Sequence, residues 1–349
     1  MAGGGTGGHV IPSIAVAREL KQIGHEVFFI GTRQGMEAKL VPAAGFPIDW
    51  IEISGLKRVA WRQTLSTIIK LPTSIWAARR ILQRRGVNVV FSMGGYVAAP
   101  VMAAARLLSL PMAIMEPNAI PGVTNRRLGR IARRVLLTFE DAKPHFVRQT
   151  VEVTGLPVRR EFFAIPNRPL GGHLSVLVTG GSQGSRTLNQ ACEQAWPAFK
   201  ESRIRLIHQT GATHYAAIAA RFAQAGVDGE IVPFIEDMPQ TFSDVDVVVC
   251  RSGAGAVSEL AAAGKPSILV PFPFAADDHQ AKNAQALERI GAARFVRDQD
   301  MTGQRLIAEL TALTAEQLEQ MSAAARSFAQ PGAARRAAEI LIELAVDRQ

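Results

Sequence analysis

The residues with the clearest chemical signature stand at the start of the chain, in the stretch AGGGTGGHV at positions 2–10. Five of these nine residues are glycine, which lets a ligand approach backbone N–H groups closely. From Val10 to Leu20 apolar residues recur at helical spacing, so the glycine run leads into a helix N-terminus, which favours anions. The imidazole of His9 could move a proton near neutral pH.

One feature of this start is unusual. A glycine-rich turn of this kind normally follows a buried β-strand, yet only Met1 precedes Ala2. We therefore expect the first strand to be missing, or its place in the sheet to be empty. A flexible N-terminal tail is the alternative interpretation of the glycine cluster.

Two further segments combine small residues with groups that could bind a nucleotide. The stretch VTGGSQGSRTLNQA at 178–191 again predicts a strand, a glycine-rich turn and a helix. The stretch RSGAGAVSELAAAGKPSILVPFP at 251–273 follows the apolar run VDVVVC and places Glu259 on the first turns of the next helix. A carboxylate there could accept hydrogen bonds from two ribose hydroxyls, although it could also serve only as a helix-dipole glutamate.

Short apolar β-type runs alternate with helical segments along the whole chain, which is typical of parallel α/β structure. The pattern occurs twice, on either side of a proline-containing stretch at 155–173 without periodicity. The sequence therefore predicts two Rossmann-like, doubly wound α/β domains in tandem, at 1–164 and 165–331. The last segment, 332–349, is predicted as a helix that packs back on the first domain.

Composition limits the classes of function. Both cysteines, Cys192 and Cys250, lack metal-ligand spacing and are expected to be core residues, and no apolar run is long enough to span a membrane. Residues 1–160 carry 22 Lys and Arg against nine Asp and Glu, which indicates an anionic partner. Residues 56–85 interleave basic residues with Trp61, Leu65, Ile68, Ile69, Leu71 and Trp76, which favours an anionic membrane surface over a solvated basic helix.

In this order, the motifs GGGTGGH, SMGGYVAAP, EPNAIPG, GLPVR, GGSQGS, RSGAGAVSELAAAGKPSILVPFP and DDHQAKNA resemble the MurG family of N-acetylglucosaminyltransferases in glycosyltransferase family 28. The resemblance covers nearly the whole chain. It implies the GT-B glycosyltransferase fold, with two Rossmann-like domains facing a cleft. It also implies that the C-terminal domain binds the donor nucleotide and the N-terminal domain binds the acceptor.

The resemblance assigns most of the donor site. It implies that Glu259 binds the ribose, that the backbone of Ile235 meets the uracil, and that Gln280 meets the transferred sugar. The full set of implied donor-binding residues is Thr6, Gly7, Gly8, Asn118, Arg159, Ser182, Gln183, Gly184, Ile235, Ala254, Gly255, Ala256, Val257, Ser258, Glu259, His279 and Gln280.

For the acceptor, the resemblance implies that His9 is the catalytic base that activates the 4-hydroxyl of a muramoyl sugar. The implied acceptor-binding residues are Gly94, Gly95, Tyr96, Glu116 and Asn118. The family often has a histidine just before that glutamate, whereas this chain has Met115.

The implied reaction moves N-acetylglucosamine from UDP-N-acetylglucosamine to undecaprenyl-diphospho-muramoyl-pentapeptide (lipid I), inverts the anomeric carbon and forms lipid II for peptidoglycan. No convincing paired-carboxylate loop is present, so we expect no metal site and no cofactor. The resemblance implies a peripheral enzyme on the cytoplasmic face of the bacterial inner membrane, with cell-wall or division proteins as further partners.

Four alternatives stay open on the sequence. Another lipid-linked or natural-product glycosyltransferase of this fold would share Glu259 and the donor cradle. A nicotinamide-dependent oxidoreductase would need an acidic residue about 20 residues past the first cradle, and FFIGTRQG offers none. A nucleic-acid-binding module fits poorly with 6% aromatic residues. A non-catalytic cell-wall scaffold is the fourth.

Overall fold

The structure is a computed structural model that describes residues 1–53, 61–146, 150–167 and 172–347, with side chains left out for 61–70. It divides into two compact units. The first unit comprises Met1–Val158 and Gly332–Gln349, and the second comprises Arg159–Pro331. The sequence prediction placed the first boundary after residue 164 and the second after residue 331.

The described strands all pair in parallel and form one sheet in each unit. Their bounds are β1 Ala2–Gly3, β2 Phe29–Gly31, β3 Ile48–Trp50, β4 Val90–Gly94, β5 Met112–Glu116, β6 Arg134–Leu137, β7 Thr150–Val153, β8 Ser175–Thr179, β9 Arg205–Gln209, β10 Gly229–Val232, β11 Val247–Cys250, β12 Ser267–Leu269 and β13 Ala293–Phe295. The order is β3-β2-β1-β4-β5-β6-β7 in the first unit and β10-β9-β8-β11-β12-β13 in the second.

α-Helices connect most successive strands in both units, and a 3₁₀ helix at Glu140–His145 lies between β6 and β7. Parallel pairing requires crossover connections of this kind. The bounds of the α-helices are α1 Gly7–Gln22, α2 Glu37–Ala43, α3 Trp61–Arg84, α4 Ala98–Leu107, α5 Val123–Leu128, α6 Arg160–Phe163, α7 Arg186–Glu201, α8 Ala212–Ala225, α9 Met238–Asp244, α10 Ala254–Ala263, α11 His279–Arg289, α12 Gly303–Thr311, α13 Ala315–Phe328 and α14 Ala333–Val346. The central strands β4, β5, β8 and β11 are buried along their whole length, which explains their nearly continuous apolar sequences.

The first strand corrects one sequence prediction. The place that we expected to be empty is occupied by β1, in which Ala2 pairs with Ile30 of β2 and with Ser92 of β4. Ala2 is 1% exposed and Gly3 is also buried. A strand of two residues is too short to show a period of two, so the sequence pattern could not reveal it.

Strand order determines where ligands can bind. β1 lies between β2 and β4, and β8 lies between β9 and β11. From β1 and from β8 the chain first adds strands on one side of the sheet and then crosses to the other side, so each sheet has a switch point there. In open α/β sheets, ligands bind at the carboxyl ends of strands at such switch points. The loops after β1 and β4 therefore lie side by side in the first unit, and the loops after β8 and β11 do so in the second.

The last helix belongs to the first unit. α14 packs against α1, and Arg336 Nε donates a 2.6 Å hydrogen bond to Glu152 Oε1 of β7. Arg336 also bonds Glu339 and Glu343 on its own helix. The hydrogen bonds from Arg336 hold the pKa of Glu152 below its ordinary value.

Candidate active site

In the first unit, the glycine-rich loop after β1 and the loop after β4 converge on His9. A Cβ atom at Gly95 would lie 2.8 Å from the carbonyl oxygen of Gly4 and 3.3 Å from His9 Nδ1. Gly95 has a φ of +82°, which only glycine adopts without strain. Both the space and the backbone conformation therefore require glycine at position 95, and the structure brings predicted residues Gly95 and His9 together.

The glycine loop is held by a carboxylate that the sequence analysis missed. Glu37 is fully buried and accepts a 2.9 Å hydrogen bond from Gly5 N–H. Its other oxygen accepts hydrogen bonds from the amide and the hydroxyl of Thr32, at 3.0 and 2.8 Å. The Thr32 hydroxyl in turn shares a 2.9 Å hydrogen bond with the predicted acceptor residue Tyr96.

Glu37 escaped sequence analysis because it reads as an ordinary acidic residue at a helix start. Its main partner, Gly5, lies 32 residues away in sequence. The available signal was the glycine at positions 31 and 35, because a Cβ at either position would lie within 2.7 Å of a Glu37 side-chain atom. Two glycines shortly before a glutamate are compatible with a backbone that closes around its side chain.

The predicted acceptor residues Glu116 and Asn118 meet at the end of β5. Glu116 Oε1 accepts hydrogen bonds from the Asn118 backbone N–H (2.9 Å) and side-chain amide (3.2 Å), and Oε2 accepts one from Asn125 Nδ2 (2.9 Å). Burial raises the pKa of Glu116 to about 7, although these hydrogen bonds oppose the shift. The pair therefore presents a carboxyl group that can change its protonation state near neutral pH.

Asn125 is a second residue that the sequence analysis missed, and it links the two acceptor segments. Its side chain donates to Glu116 and to the carbonyl of Met115, and its Oδ1 would lie 2.7 Å from a Cβ at Gly94. Met115 itself is fully buried in β5. The methionine at this position is therefore a core residue.

In the second unit, the predicted diphosphate loop follows β8. Ser182 and Gln183 are exposed, whereas Gly184 approaches the next strand so closely that a Cβ would lie 2.0 Å from the carbonyl oxygen of Thr210. Gly184 has a φ of +72°. Ser185 ends the loop as the N-cap of α7, with its hydroxyl accepting a hydrogen bond from Leu188 N–H. The first N–H groups of such a helix have no intrahelical partner and can bind an anion.

Arg251 joins this loop to the one after β11. Its guanidinium donates to Ser185 Oγ at 2.7 Å, to the carbonyl of Pro271 at 2.9 Å and to Asp298. The side chains of Arg251 and Asp298 are only 14% and 17% exposed. Arg251 belongs to one of the sequence motifs, but the sequence assigns it no role, because the partner of a buried ion pair cannot be identified from a single segment.

The loop after β11 leads into α10, where most predicted donor residues stand. Ala254, Gly255 and Ala256 form its first turn, whose N–H groups point out of the helix end. The side chains of Val257 and Ser258 are buried, as is that of Ala254. The Val257 amide is also engaged, donating to the carbonyl of Gly253 at 3.0 Å.

Glu259 lies on the second turn of α10 with its side chain 30% exposed. Burial raises its pKa to about 7, and the opposing charge of Arg159 lowers it, with Arg159 Nη2 lying 3.9 Å from Glu259 Oε1. The structure thus brings together two residues that are 100 positions apart and that the resemblance assigned to the donor. Arg159 also stacks over Phe162, with its Cζ 4.9 Å from the ring centroid.

The first turns of α11 complete this group. Gln280 Oε1 accepts a 2.9 Å hydrogen bond from Phe272 N–H, while its Nε2 would lie 4.0 Å from a Cβ at Gly253, beside the start of α10. The Ser252 hydroxyl donates to the carbonyl of Gln280, and Asn283 Nδ2 donates to the carbonyl of Ser252. His279 bonds the carbonyl of Ala276. Ile235 lies separately, between β10 and α9.

Within the described part of the chain, no group of three or more His, Cys, Asp or Glu side chains could hold a metal ion. Over the same residues, no helix is both long enough and apolar enough to cross a bilayer. The basic segment at 56–85 is described only in part, because residues 56–60 and the side chains of 61–70, including Trp61, Leu65, Ile68 and Ile69, lie outside the described residues.

The chain matches two family models, the glycosyltransferase family 28 N-terminal domain at residues 1–137 and its C-terminal domain at residues 175–339. It is 57% identical to a protein of Solibacter usitatus, over 99% of this chain and 95% of the relative. It is 44% identical to a protein of Azotobacter vinelandii, over 98% of this chain and 97% of the relative. Both relatives are named UDP-N-acetylglucosamine--N-acetylmuramyl-(pentapeptide) pyrophosphoryl-undecaprenol N-acetylglucosamine transferase.

Solved structures agree with this family. The crystal structure of Acinetobacter baumannii MurG matches with a TM-score of 0.83 and 34% identity, over 98% of both chains. A UDP-N-acetylglucosamine 2-epimerase matches with a TM-score of 0.66 at 14% identity, which indicates a shared fold only. The predicted fold class of two parallel α/β domains, and the resemblance noted in the sequence, are confirmed.

Proposed function

The chain belongs to glycosyltransferase family 28, and we propose that it transfers N-acetylglucosamine from UDP-N-acetylglucosamine to the 4-hydroxyl of the muramoyl sugar of undecaprenyl-diphospho-muramoyl-pentapeptide. The observation that carries the proposal is the 57% identity to a transferase of that name across 99% of this chain. The product would be the lipid-linked disaccharide precursor of peptidoglycan, so the enzyme would serve cell-wall growth, cell shape and division.

In the proposed reaction, the acceptor 4-hydroxyl oxygen attacks the anomeric carbon as the bond from that carbon to the diphosphate oxygen breaks. The hydroxyl proton passes to His9, and UDP leaves with the bonding electron pair. Direct attack of this kind inverts the anomeric carbon from α to β. The closeness of Gly95 to both Gly4 and His9 supports the assignment of His9 as base, because it places the imidazole where the loops after β1 and β4 meet.

The second unit would bind the donor. The Glu259 carboxylate would accept hydrogen bonds from the ribose hydroxyls, and the loop from Ser182 to Gly184 would meet the diphosphate. Arg159 and the free N–H groups at the start of α10 would stabilise the charge that develops on the leaving UDP, as preorganised donors do. We propose that no dedicated metal ion takes part.

We also propose that the enzyme is peripheral on the cytoplasmic face of the inner membrane, where its lipid-linked acceptor is anchored. Trp76 of α3 is 58% exposed, and the Arg80 guanidinium lies 4.5 Å from its ring centroid. Arg79 beside it is also exposed. An exposed aromatic side chain among cations suits the interface of an anionic bilayer, at about 1 kcal/mol per basic residue. Cell-wall or division proteins would be further partners.

Sedimentation with vesicles tests the membrane proposal. The wild type should bind vesicles that contain phosphatidylglycerol and should bind weakly to neutral phosphatidylcholine vesicles. The double variant Trp76→Ala, Arg80→Glu should lose most of this binding. Arg205→Glu, which changes an exposed residue of the second unit, is the matched control and should bind as the wild type does. Equal binding by all three proteins would contradict the proposal.

A transfer assay tests the reaction. Labelled UDP-N-acetylglucosamine and a short-chain lipid I analogue should yield a labelled lipid disaccharide, and an added chelator should leave the rate unchanged. Replacing the acceptor with lipid-linked sugars that lack the muramoyl pentapeptide separates this enzyme from other glycosyltransferases of the same fold. Transfer to such sugars but not to the lipid I analogue would contradict the proposed acceptor.

A further inference from the structure

The second unit contains a buried polar side chain that touches two separate parts of the proposed donor site. Gln209, the last residue of β9, is 1% exposed. Its Nε2 donates a 2.8 Å hydrogen bond to the carbonyl of Gly181, in the diphosphate loop. Its Oε1 accepts a 3.2 Å hydrogen bond from Ile235 N–H, at the turn assigned to the uracil.

The residues around Gln209 are packed too tightly for this bridge to shift. A Cβ at Gly211 would lie 2.5 Å from the carbonyl oxygen of Gln183, and Asn189 Nδ2 donates a 3.0 Å hydrogen bond to the carbonyl of Thr210. His208 bonds Asn189 from the other side. The end of β9 is therefore fastened directly to the diphosphate loop and to helix α7.

We infer that Gln209 is a positioning residue that sets both the diphosphate loop and the base-recognition turn, and that it thereby contributes to selectivity for uracil. The inference rests on the proposed function. A backbone residue has one donor and one acceptor. The N–H of Ile235 already donates to Gln209. The backbone group that Ile235 can offer to a base is therefore its carbonyl oxygen.

A carbonyl oxygen discriminates between pyrimidines. The N3 position of uracil carries a hydrogen and donates, whereas N3 of cytosine is an acceptor. Cytosine would place its N3 acceptor against the carbonyl oxygen of Ile235. Neither atom would then have a hydrogen-bond donor, which costs free energy in a buried site. Gln209 thus favours a uridine nucleotide over a cytidine nucleotide without touching the base itself.

Binding measurements on Gln209→Met test this inference, because methionine keeps the side-chain volume and removes both hydrogen bonds. Affinity for UDP should fall about 10-fold, the effect of one or two lost hydrogen bonds. The ratio of UDP to CDP affinity should fall as well. Gln240→Met, at an exposed position of α9, is the matched control and should bind both nucleotides as the wild type does.

Several results would overturn the inference. A folded Gln209→Met protein with wild-type affinity for UDP would do so, and so would equal weakening of UDP and CDP binding, because a purely structural role would leave their ratio unchanged. If the variant does not fold, amide hydrogen exchange of the wild type tests whether the hydrogen bond between Ile235 and Gln209 forms. The Ile235 amide should exchange more slowly than that of its exposed neighbour Glu236, and equal rates would refute the bridge.

The same measurements separate this inference from the proposed function. A wild-type protein that binds neither UDP nor CDP would contradict the proposed donor, and the inference with it. A wild type that prefers UDP, together with a Gln209→Met variant of unchanged preference, would contradict only the role of Gln209.

Discussion

The backbone N–H of Gly5 lies 2.9 Å from Glu37 Oε2, and this hydrogen bond fastens the glycine-rich loop to a carboxylate that solvent does not reach. The other oxygen of Glu37 accepts hydrogen bonds from the amide and the hydroxyl of Thr32. That hydroxyl also shares a hydrogen bond with the hydroxyl of Tyr96. Flexible glycine backbone is thereby given one conformation next to His9. A loop that must approach a substrate closely needs such an external restraint, because glycine supplies none of its own.

We predict that Glu37→Gln lowers the rate of transfer by about 10- to 100-fold, because a small displacement of the loop misplaces the reacting groups. Glutamine keeps the size of the side chain but presents an N–H group to one of the three donors. UDP binding should be unchanged, since the proposed ribose, uracil and diphosphate contacts lie in the second unit. Glu26→Gln, an exposed residue of the same unit, is the control. A wild-type rate in folded Glu37→Gln would refute the positioning role.

Replacing the base itself should have a larger effect. His9→Ala should reduce the rate by about 10²- to 10⁴-fold, the usual contribution of a general base. Binding of UDP, measured by calorimetry, should stay close to that of the wild type. The exposed residue His25 offers a control substitution, His25→Ala, with full activity expected. Transfer by His9→Ala at the wild-type rate would remove His9 from the mechanism.

Donor binding should depend on pH through Glu259, whose pKa burial raises to about 7. The ionised carboxyl group accepts hydrogen bonds from the two ribose hydroxyls more strongly than the neutral group does. Affinity for UDP-N-acetylglucosamine, whose diphosphate does not titrate in this range, should therefore rise as the pH increases through about 7 and level off above it. Glu259→Gln should bind more weakly and show a flat profile. A wild-type affinity that falls over this range would contradict the assignment.

Arg251→Met should destabilise the second unit by about 2–4 kcal/mol, because it leaves Asp298 and two carbonyl groups without their cationic donor in a mostly buried site. The free energy of unfolding in urea measures this change. Arg221→Met breaks an ion pair with Glu193 whose arginine is 52% exposed, and should have a much smaller effect. Equal stability of the two variants would show that Arg251 is not a structural link between the loops.

Alternation of apolar runs and helical segments predicted the two parallel α/β units, because strands buried on both faces have long apolar sequences. The glycine motifs predicted the turns after β1 and β8, small residues predicted the start of α10, and the family resemblance supplied Gly94 and Gly95 after β4. β1 was missed, since Ala2 and Gly3 alone carry no pattern. The family resemblance supplied roles, such as that of Ile235, that no local pattern indicates.

The supporting side chains could not be predicted in the same way. Glu37, Asn125, Gln209 and Arg251 act through partners between five and 66 residues away in sequence, and each has at least one partner nine or more residues away. Hydrogen bonds over such separations can be predicted only once the sheet order is known. A single sequence shows residue types along the chain, whereas these roles depend on which strand ends become neighbours.

The most direct test of the account is the structure of the product formed from UDP-N-acetylglucosamine and a lipid I analogue, determined by nuclear magnetic resonance. The account predicts one new glycosidic bond, in the β configuration, to the 4-hydroxyl of the muramoyl sugar, with UDP as the co-product. A product of α configuration, or a bond to another hydroxyl or another acceptor, would contradict the proposed transfer.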